Sequence, residues 1–484
     1  MRFRKRLLSG LIAGILVMGT VGMNVDAAKI QVDQQIPAEE VDSVYNQEVD
    51  SNALAGWPVG PNIYSESGIV MDMDSGAILY AKKIDDQHYP ASITKILTAV
   101  VALENSQLTD RVKFTQNCID FLEYGDAHIG MKVGEEISME DALYGMLLAS
   151  ANEVSYAIAN SVNGGYDNFI NMMNEKVAEL GGTNSHFVNA NGLHNDEHYT
   201  SAHDMALIGA AAFKYEEFRK ITGTRQYTIG PTALTSESRT FQQNHKMLFQ
   251  GNRNYYEYCV GGKTGYTDQA LTTLVTFATK DDKNLVAVTL RVHGGGQNAY
   301  VDTRAMLDYA FDNFSKVPVT KEQVTDKNIK SVDENAYVML PSGVTFDKLD
   351  ATLQEPTELG DKSGTLIYTY QGQEVGKVPV TITDKYYNKI HGIEEKKTAK
   401  AEKKETKKEE GLPTVVVVLL VILGIVILFA FALILLLAYK RKKNKRTPQE
   451  SSHETSETAA NEKRIIGKNY TCTEEIVYCI LESD

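Results

Sequence analysis

The sequence lacks an excess of positive charge, is poor in cysteine, and misses several common catalytic signatures. Lys and Arg number 49 against 63 Asp and Glu, a formal net charge of −14, which argues against a nucleic-acid partner. Of four cysteines, Cys118 and Cys259 stand isolated in the body, and Cys472 and Cys479 lie near the C-terminus. That is no disulfide framework, so the body's two are expected as buried free thiols. No G-x-S-x-G occurs, which removes the α/β-hydrolase elbow. No H-E-x-x-H occurs, and His194, His198 and His203 sit near Gly192, Asn195 and Asp196 in a loop-like context, so no metal site is expected. Internal repeats are absent as well.

What is present begins at the ends. Arg2, Arg4, Lys5 and Arg6 precede an apolar stretch over 7–21 and a small-residue cleavage site, Val25-Asp26-Ala27. Residues 1–27 therefore read as a signal peptide; losing its net +3 leaves −17 on the mature chain. Residues 415–439 are 25 positions without a charge, enough to cross a bilayer core of about 30 Å. Lys440, Arg441, Lys442, Lys443, Lys445 and Arg446 follow, which places that end on the cytoplasmic side. The expected organisation is a signal peptide (1–27), a polar spacer (28–60), a main body (61–315), a small β domain (317–390), a charged linker (391–413), a transmembrane helix (414–439) and a cytoplasmic tail (440–484). The body would face outward from the cell membrane as part of a single-pass protein.

Within the body, 68–80 reads as a hairpin around Asp74-Ser75-Gly76. After Pro90, a residue tolerated at a helix start, Ile96, Leu97, Val100, Val101 and Leu103 recur at helical spacing. Further helical patterns cover roughly 139–163, then 166–180 up to Gly181-Gly182, then 201–214 with Ser201 as N-cap. Beyond 225 the period shortens. Residues 256–261, 271–279 and 285–292 read as strands, and 300–314 as a closing helix. Strands at both ends with helices between them predict an α+β fold in which one sheet unites the two ends.

Three clusters carry chemistry. Ser92 and Lys95 form the one S-x-x-K of the chain; at i and i+3 of a helix their Cβ atoms lie about 5–6 Å apart. Serine is a weak nucleophile until a base stands beside it, and a helix N-terminus disfavours positive charge on that base. Alone, such a pair is more often a solvated polar pair. Ser150-Ala151-Asn152 interrupts an apolar helical stretch, so its polar side chains must find partners or line a cleft. The similar Ser161-Val162-Asn163 abuts Gly164-Gly165 and reads as a helix end. Lys263 and Thr264, set among Gly261, Gly262, Gly265 and Tyr266, offer a cation and a hydroxyl to a carboxylate on a strand edge open to a peptide backbone.

Together these clusters resemble the S-x-x-K, S-x-N and K-T-G set of the penicillin-recognising serine enzymes. The longer strings at 90–98, 189–193, 201–206 and 262–268 resemble the D-alanyl-D-alanine carboxypeptidases, low-molecular-mass penicillin-binding proteins, over about residues 55–390. The resemblance implies a β-lactamase/transpeptidase-like domain, an antiparallel sheet flanked by helices, followed by a small all-β domain. It implies Ser92 as the acylated nucleophile, Lys95 as its base, and Ser150 and Asn152 in proton relay and positioning. Lys263, Thr264, Gly265 and Tyr266 would bind substrate, with the N–H groups of Ser92 and Tyr266 facing the oxyanion. The implied reaction removes the last D-alanine of a peptidoglycan stem peptide without a cofactor, with β-lactams as inhibitors. Three departures stand out: a true span where the family usually has a membrane-surface helix, alanine at 151, and Gln297-Asn298-Ala299-Tyr300 where an arginine is common. The last leaves Arg291 and Arg304 as carboxylate candidates. Two rival readings share the motifs, a β-lactamase and a membrane-anchored β-lactam receptor.

Overall fold

The structure, a computed structural model, describes residues 37–393 and 414–443; the expected signal peptide, most of the charged linker and the cytoplasmic tail lie outside the described residues. In chain order come α1 (Ala38–Tyr45), β1 (Ser65–Asp72), β2 (Ile78–Lys82), α2 (Lys95–Asn105), β3 (Arg111–Lys113), β4 (Glu136–Ser138), α3 (Met139–Leu148), α4 (Asn152–Ser161), α5 (Gly165–Glu179), α6 (Ala202–Phe213) and α7 (Glu216–Gly223). Then follow β5 (Gln226–Ile229), β6 (Arg239–Gln242), β7 (Cys259–Thr267), β8 (Leu271–Lys280), β9 (Lys283–Val292) and α8 (Gly296–Asn313).

Five strands form one antiparallel sheet in the order β2-β1-β9-β8-β7, the α+β arrangement expected. β1 pairs with β9, Ile69 opposite Val288, so the two ends of the body meet at the sheet centre. Successive side chains of a strand point to opposite faces. Ile69, Met71, Val286 and Val288 join the core shared with α2, α3 and α6, while Val70, Leu285 and Ala287 pack with Met306, Leu307 and Ala310 of α8. Burial on both faces explains why β9 carries so little polar alternation. β7 is the outermost strand.

Several boundaries differ from expectation. The helix expected over 139–163 is two helices, broken between Leu148 and Asn152. Ser150 sits in the break with φ +64°. The strand expected at 256–261 runs instead over Cys259–Thr267, because Gly261, Gly262 and Gly265, weak strand formers alone, are held by Phe277, Thr276 and Thr273 of β8. The expected spacer is packed over its described part. Trp57 is buried and donates to the Leu79 carbonyl at 3.3 Å. The Lys82 ammonium donates to the carbonyls of Val44, Ile63 and Ser65 at 2.9, 3.0 and 2.8 Å.

The segment after α8 is rich in strands and packs on the main body. β10 (Phe314–Pro318), β11 (Ile329–Val332), β12 (Tyr337–Pro341), β13 (Asp350–Gln354), β14 (Ser363–Tyr370) and β15 (Gln373–Ile382) precede α9 (Asp384–Ile390). They form a pair, β10-β12, and a sheet, β11-β15-β14-β13. Val338, Leu340 and Val378 share one core with Leu79 and Met306. Tyr337 Oη also donates to Asp72 Oδ1 at 2.8 Å. These strands accordingly belong to one compact unit with the five-stranded sheet. The second unit contains α10 (Thr414–Lys443), 30 residues long. Its side chains are described only between 422 and 437, and among described residues no helix is long and apolar enough to cross a membrane.

Candidate active site

The S-x-x-K segment does not lie inside one α-helix. Ala91–Thr94 form a 3-10 turn and Lys95 opens α2. Ala91 has φ +51°, an uncommon conformation for a residue with a Cβ. Thr94 Oγ1 donates to the Ala91 carbonyl at 2.9 Å, and Thr273 Oγ1 of β8 donates to the Pro90 carbonyl at 2.8 Å. Two glycines allow the close approaches around this turn. A Cβ on Gly192, itself at φ +84°, would overlap the Ala91 carbonyl, and one on Gly265 would fall 2.9 Å from the Ser92 nitrogen. β7 therefore lies directly against the backbone of the serine.

Lys95 is fully buried. Its Nζ donates to Ser92 Oγ at 2.9 Å, Asn152 Oδ1 at 2.8 Å and the Asn191 carbonyl at 2.5 Å. Because the ammonium or amine can donate to it, Asn152 turns its oxygen to Lys95 and its amide N–H groups away. Burial holds the Lys95 pKa well below the ordinary 10.5, and the nearby charge of Lys263 pushes it the same way. Desolvation, more than the helix N-terminus, is what favours a neutral amine here.

Lys263 lies on β7 opposite Val275, which packs on the helical face, and Thr264 follows it opposite Leu274 on the outer strand. Lys263 Nζ donates to Ser150 Oγ at 3.0 Å and the Thr264 carbonyl at 2.8 Å. Burial lowers its pKa to about 7. The structure thus brings Ser92, Lys95, Asn152, Ser150 and Lys263 into two hydrogen-bonded groups, with Gly265 against Ser92. Tyr266 Oη donates to Asp268 Oδ1 at 3.1 Å.

The arginine candidates are engaged elsewhere. Arg291 Nε binds Glu66 Oε1 at 2.9 Å and its Nη1 the Gln269 carbonyl at 2.7 Å, and Arg304 donates to the carbonyls of Asn254 and Tyr255. The histidines do not converge: His194 pairs with Asp196 at 3.4 Å, His203 with Asp85 at 3.1 Å, and His198 meets Thr94. Cys118 and Cys259 are free and buried. The Asn191 carbonyl on Lys95 escaped sequence reasoning, although the string 189–193 that carries it was conspicuous.

A hydroxyl, a buried amine placed to take its proton, and an outer strand against the hydroxyl's own backbone define a serine peptidase of the Ser-Lys type. The D-alanyl-D-alanine carboxypeptidase family profile matches residues 55–294. The chain is 32% identical over 267 residues to DacB2 of Mycobacterium tuberculosis, a D-alanyl-D-alanine carboxypeptidase, covering 52% of this chain and 84% of that protein. It is 27% identical over 338 residues to DacF of Bacillus subtilis (65% and 84%), and 27% over 362 residues to DacA of Escherichia coli (69% and 86%). This chain belongs to the D-alanyl-D-alanine carboxypeptidase family.

Proposed function

We propose that Ser92 is the nucleophile of a D-alanyl-D-alanine carboxypeptidase acting on peptidoglycan stem peptides. The observation that carries this is the 2.9 Å contact between Ser92 Oγ and the amine of a fully buried Lys95. Lys95 Nζ takes the hydroxyl proton as Oγ attacks the carbonyl carbon of the penultimate D-alanine. The N–H groups of Ser92 and Tyr266 receive the oxyanion, by the family's pattern; losing one such donor typically costs about 10²–10³ in rate. The C–N bond then breaks, the leaving amine gains the proton by way of Ser150 Oγ, and free D-alanine departs. Water adds to the ester, and Ser92 is restored. The Asn152 amide N–H holds the acyl-side carbonyl. The Lys263 ammonium and the Thr264 hydroxyl hold the terminal carboxylate, a role that the engaged Arg291 and Arg304 leave to them.

The organisation proposed with it is a small β domain over 317–390 and a transmembrane helix over 414–439, with the catalytic body outside the cell membrane. The uncharged run 415–439 and the basic cluster after it support this. Sedimentation with membranes through a carbonate wash, lost on truncation at 413, is the expected result; a soluble full chain would refute it.

The full-length protein incubated with a peptide ending in D-Ala-D-Ala should release D-alanine, and Ser92→Ala should release none. Stable penicillin acylation at Ser92 without D-alanine release would instead make it a receptor, and rapid penicillin turnover a β-lactamase.

A further inference from the structure

His198 is buried, 1% exposed, yet the reaction above makes no use of it. Its ring stands edge-on to Phe187, centroids 5.3 Å apart. The Val188 N–H donates to Nδ1 at 3.1 Å, so Nδ1 is the acceptor and Nε2 carries the proton. Nε2 lies 2.9 Å from Thr94 Oγ1. The Thr94 hydroxyl has one hydrogen and gives it to the Ala91 carbonyl at 2.9 Å, which leaves the oxygen to accept from His198. The bonds therefore run one way, from the Val188 N–H through the imidazole and the hydroxyl to the carbonyl just before Ser92.

That carbonyl belongs to the residue with φ +51°. A non-glycine residue in this region persists only where its surroundings hold it. Here they are the Thr94 hydroxyl, the Thr273 hydroxyl on the preceding carbonyl and the close pass of Gly192. We propose that His198 is a positioning residue for the nucleophile: its Nε2–H orients the Thr94 hydroxyl, which fixes the Ala91 carbonyl and so the aim of Ser92 Oγ. Burial lowers its pKa to about 3, which keeps the ring in the neutral form this arrangement needs. The inference rests on Ser92 as the nucleophile.

The rival role for His198 is to close the loop 188–198 through Val188 alone, and two substitutions separate the roles. His198→Gln places an amide N–H near the Nε2 position, keeping the donor to Thr94. His198→Asn places an acceptor near Nδ1, keeping Val188 and losing Thr94. Single-turnover acylation of the full chain by a fluorescent penicillin gives the dissociation constant and the first-order acylation constant separately, and mass spectrometry locates the adduct. The expected result is a first-order constant reduced about tenfold or more in His198→Asn and in Thr94→Val, since small misplacements of reacting atoms cost up to about 10²-fold. His198→Gln should stay within about threefold of the wild type, with the dissociation constant unmoved in all three. A wild-type acylation constant in His198→Asn or Thr94→Val, or equal losses in the Gln and Asn variants, would overturn the proposal. If His198→Asn does not fold, Thr94→Val alone decides. An adduct absent from Ser92 in the wild type would overturn the nucleophile assignment along with it.

Discussion

Lys82 and Lys95 are both fully buried lysines, and each Nζ lies within 3.0 Å of three oxygens. The charges around them differ. Near Lys82 the carboxylates of Asp302, Glu66 and Asp50 counter the cost of burial, and its pKa falls only to about 8. Near Lys95 the next influence after burial is another amine, Lys263, and both push its pKa down against the smaller opposing pull of Glu153 and Asp126. Lys82 ties the N-terminal segment to the sheet as a cation, whereas Lys95 is set up as a base. Neither side chain is exposed, but Lys95 is the more deeply enclosed, and its deeper desolvation acts with the neighbouring charge to choose which protonation state survives.

Breaking the contrast at Lys95 should have the largest effect. Lys95→Arg installs a group that cannot be deprotonated, so D-alanine release should fall by about 10²–10⁴-fold, measured as kcat/KM. Melting temperature should fall as well, since the guanidinium keeps its charge in a buried site beside Lys263, so activity is compared per folded molecule. Asn152→Asp would place a carboxylate in direct contact with the Lys95 amine. The amine should then keep its proton, activity should fall by about 10²-fold at neutral pH, and it should partly return as pH rises. Full activity at neutral pH would show that neighbouring charge does not set the state of Lys95.

Lys82→Met tests the other side. Three buried carbonyls lose their donor, so unfolding in denaturant should show a loss of about 3 kcal/mol or more. Acylation per folded molecule should be unchanged. A pH profile comes next. kcat/KM reports the free enzyme, so it should fall on the acid side as Lys95 gains a proton. It should fall again above about pH 7 as Lys263 loses the charge that binds the carboxylate. Lys263→Arg, which holds its charge, should remove the alkaline limb. Tyr337→Phe should do least: it loses the 2.8 Å bond to Asp72, costing about 1 kcal/mol and no activity.

The nucleophile and its base were legible because they are local, three residues apart on one turn. Lys263 and Thr264 were legible because glycines crowd them. The Asn152–Lys95 contact joins residues 57 apart, and only the placement of polar side chains in an apolar run hinted at it. His198 and the Asn191 carbonyl were opaque, since their partners lie roughly a hundred residues away and no local pattern marks them. The break at Ser150 and the true extent of β7 were misplaced for one reason: tertiary pairing overrides local periodicity. Residues 37–60 looked like a spacer because the lysine that holds them sits on β2.

The state of the Lys95 amine carries the whole account. Lysine-selective ¹³C NMR of the full-length protein across pH, with the Lys95 signal assigned by its absence in Lys95→Arg, measures it directly. The prediction is a titration well below the ordinary 10.5, moving upward when Lys263 is replaced by Met. A Lys95 signal that titrates near 10.5, unmoved by the loss of Lys263, would contradict it.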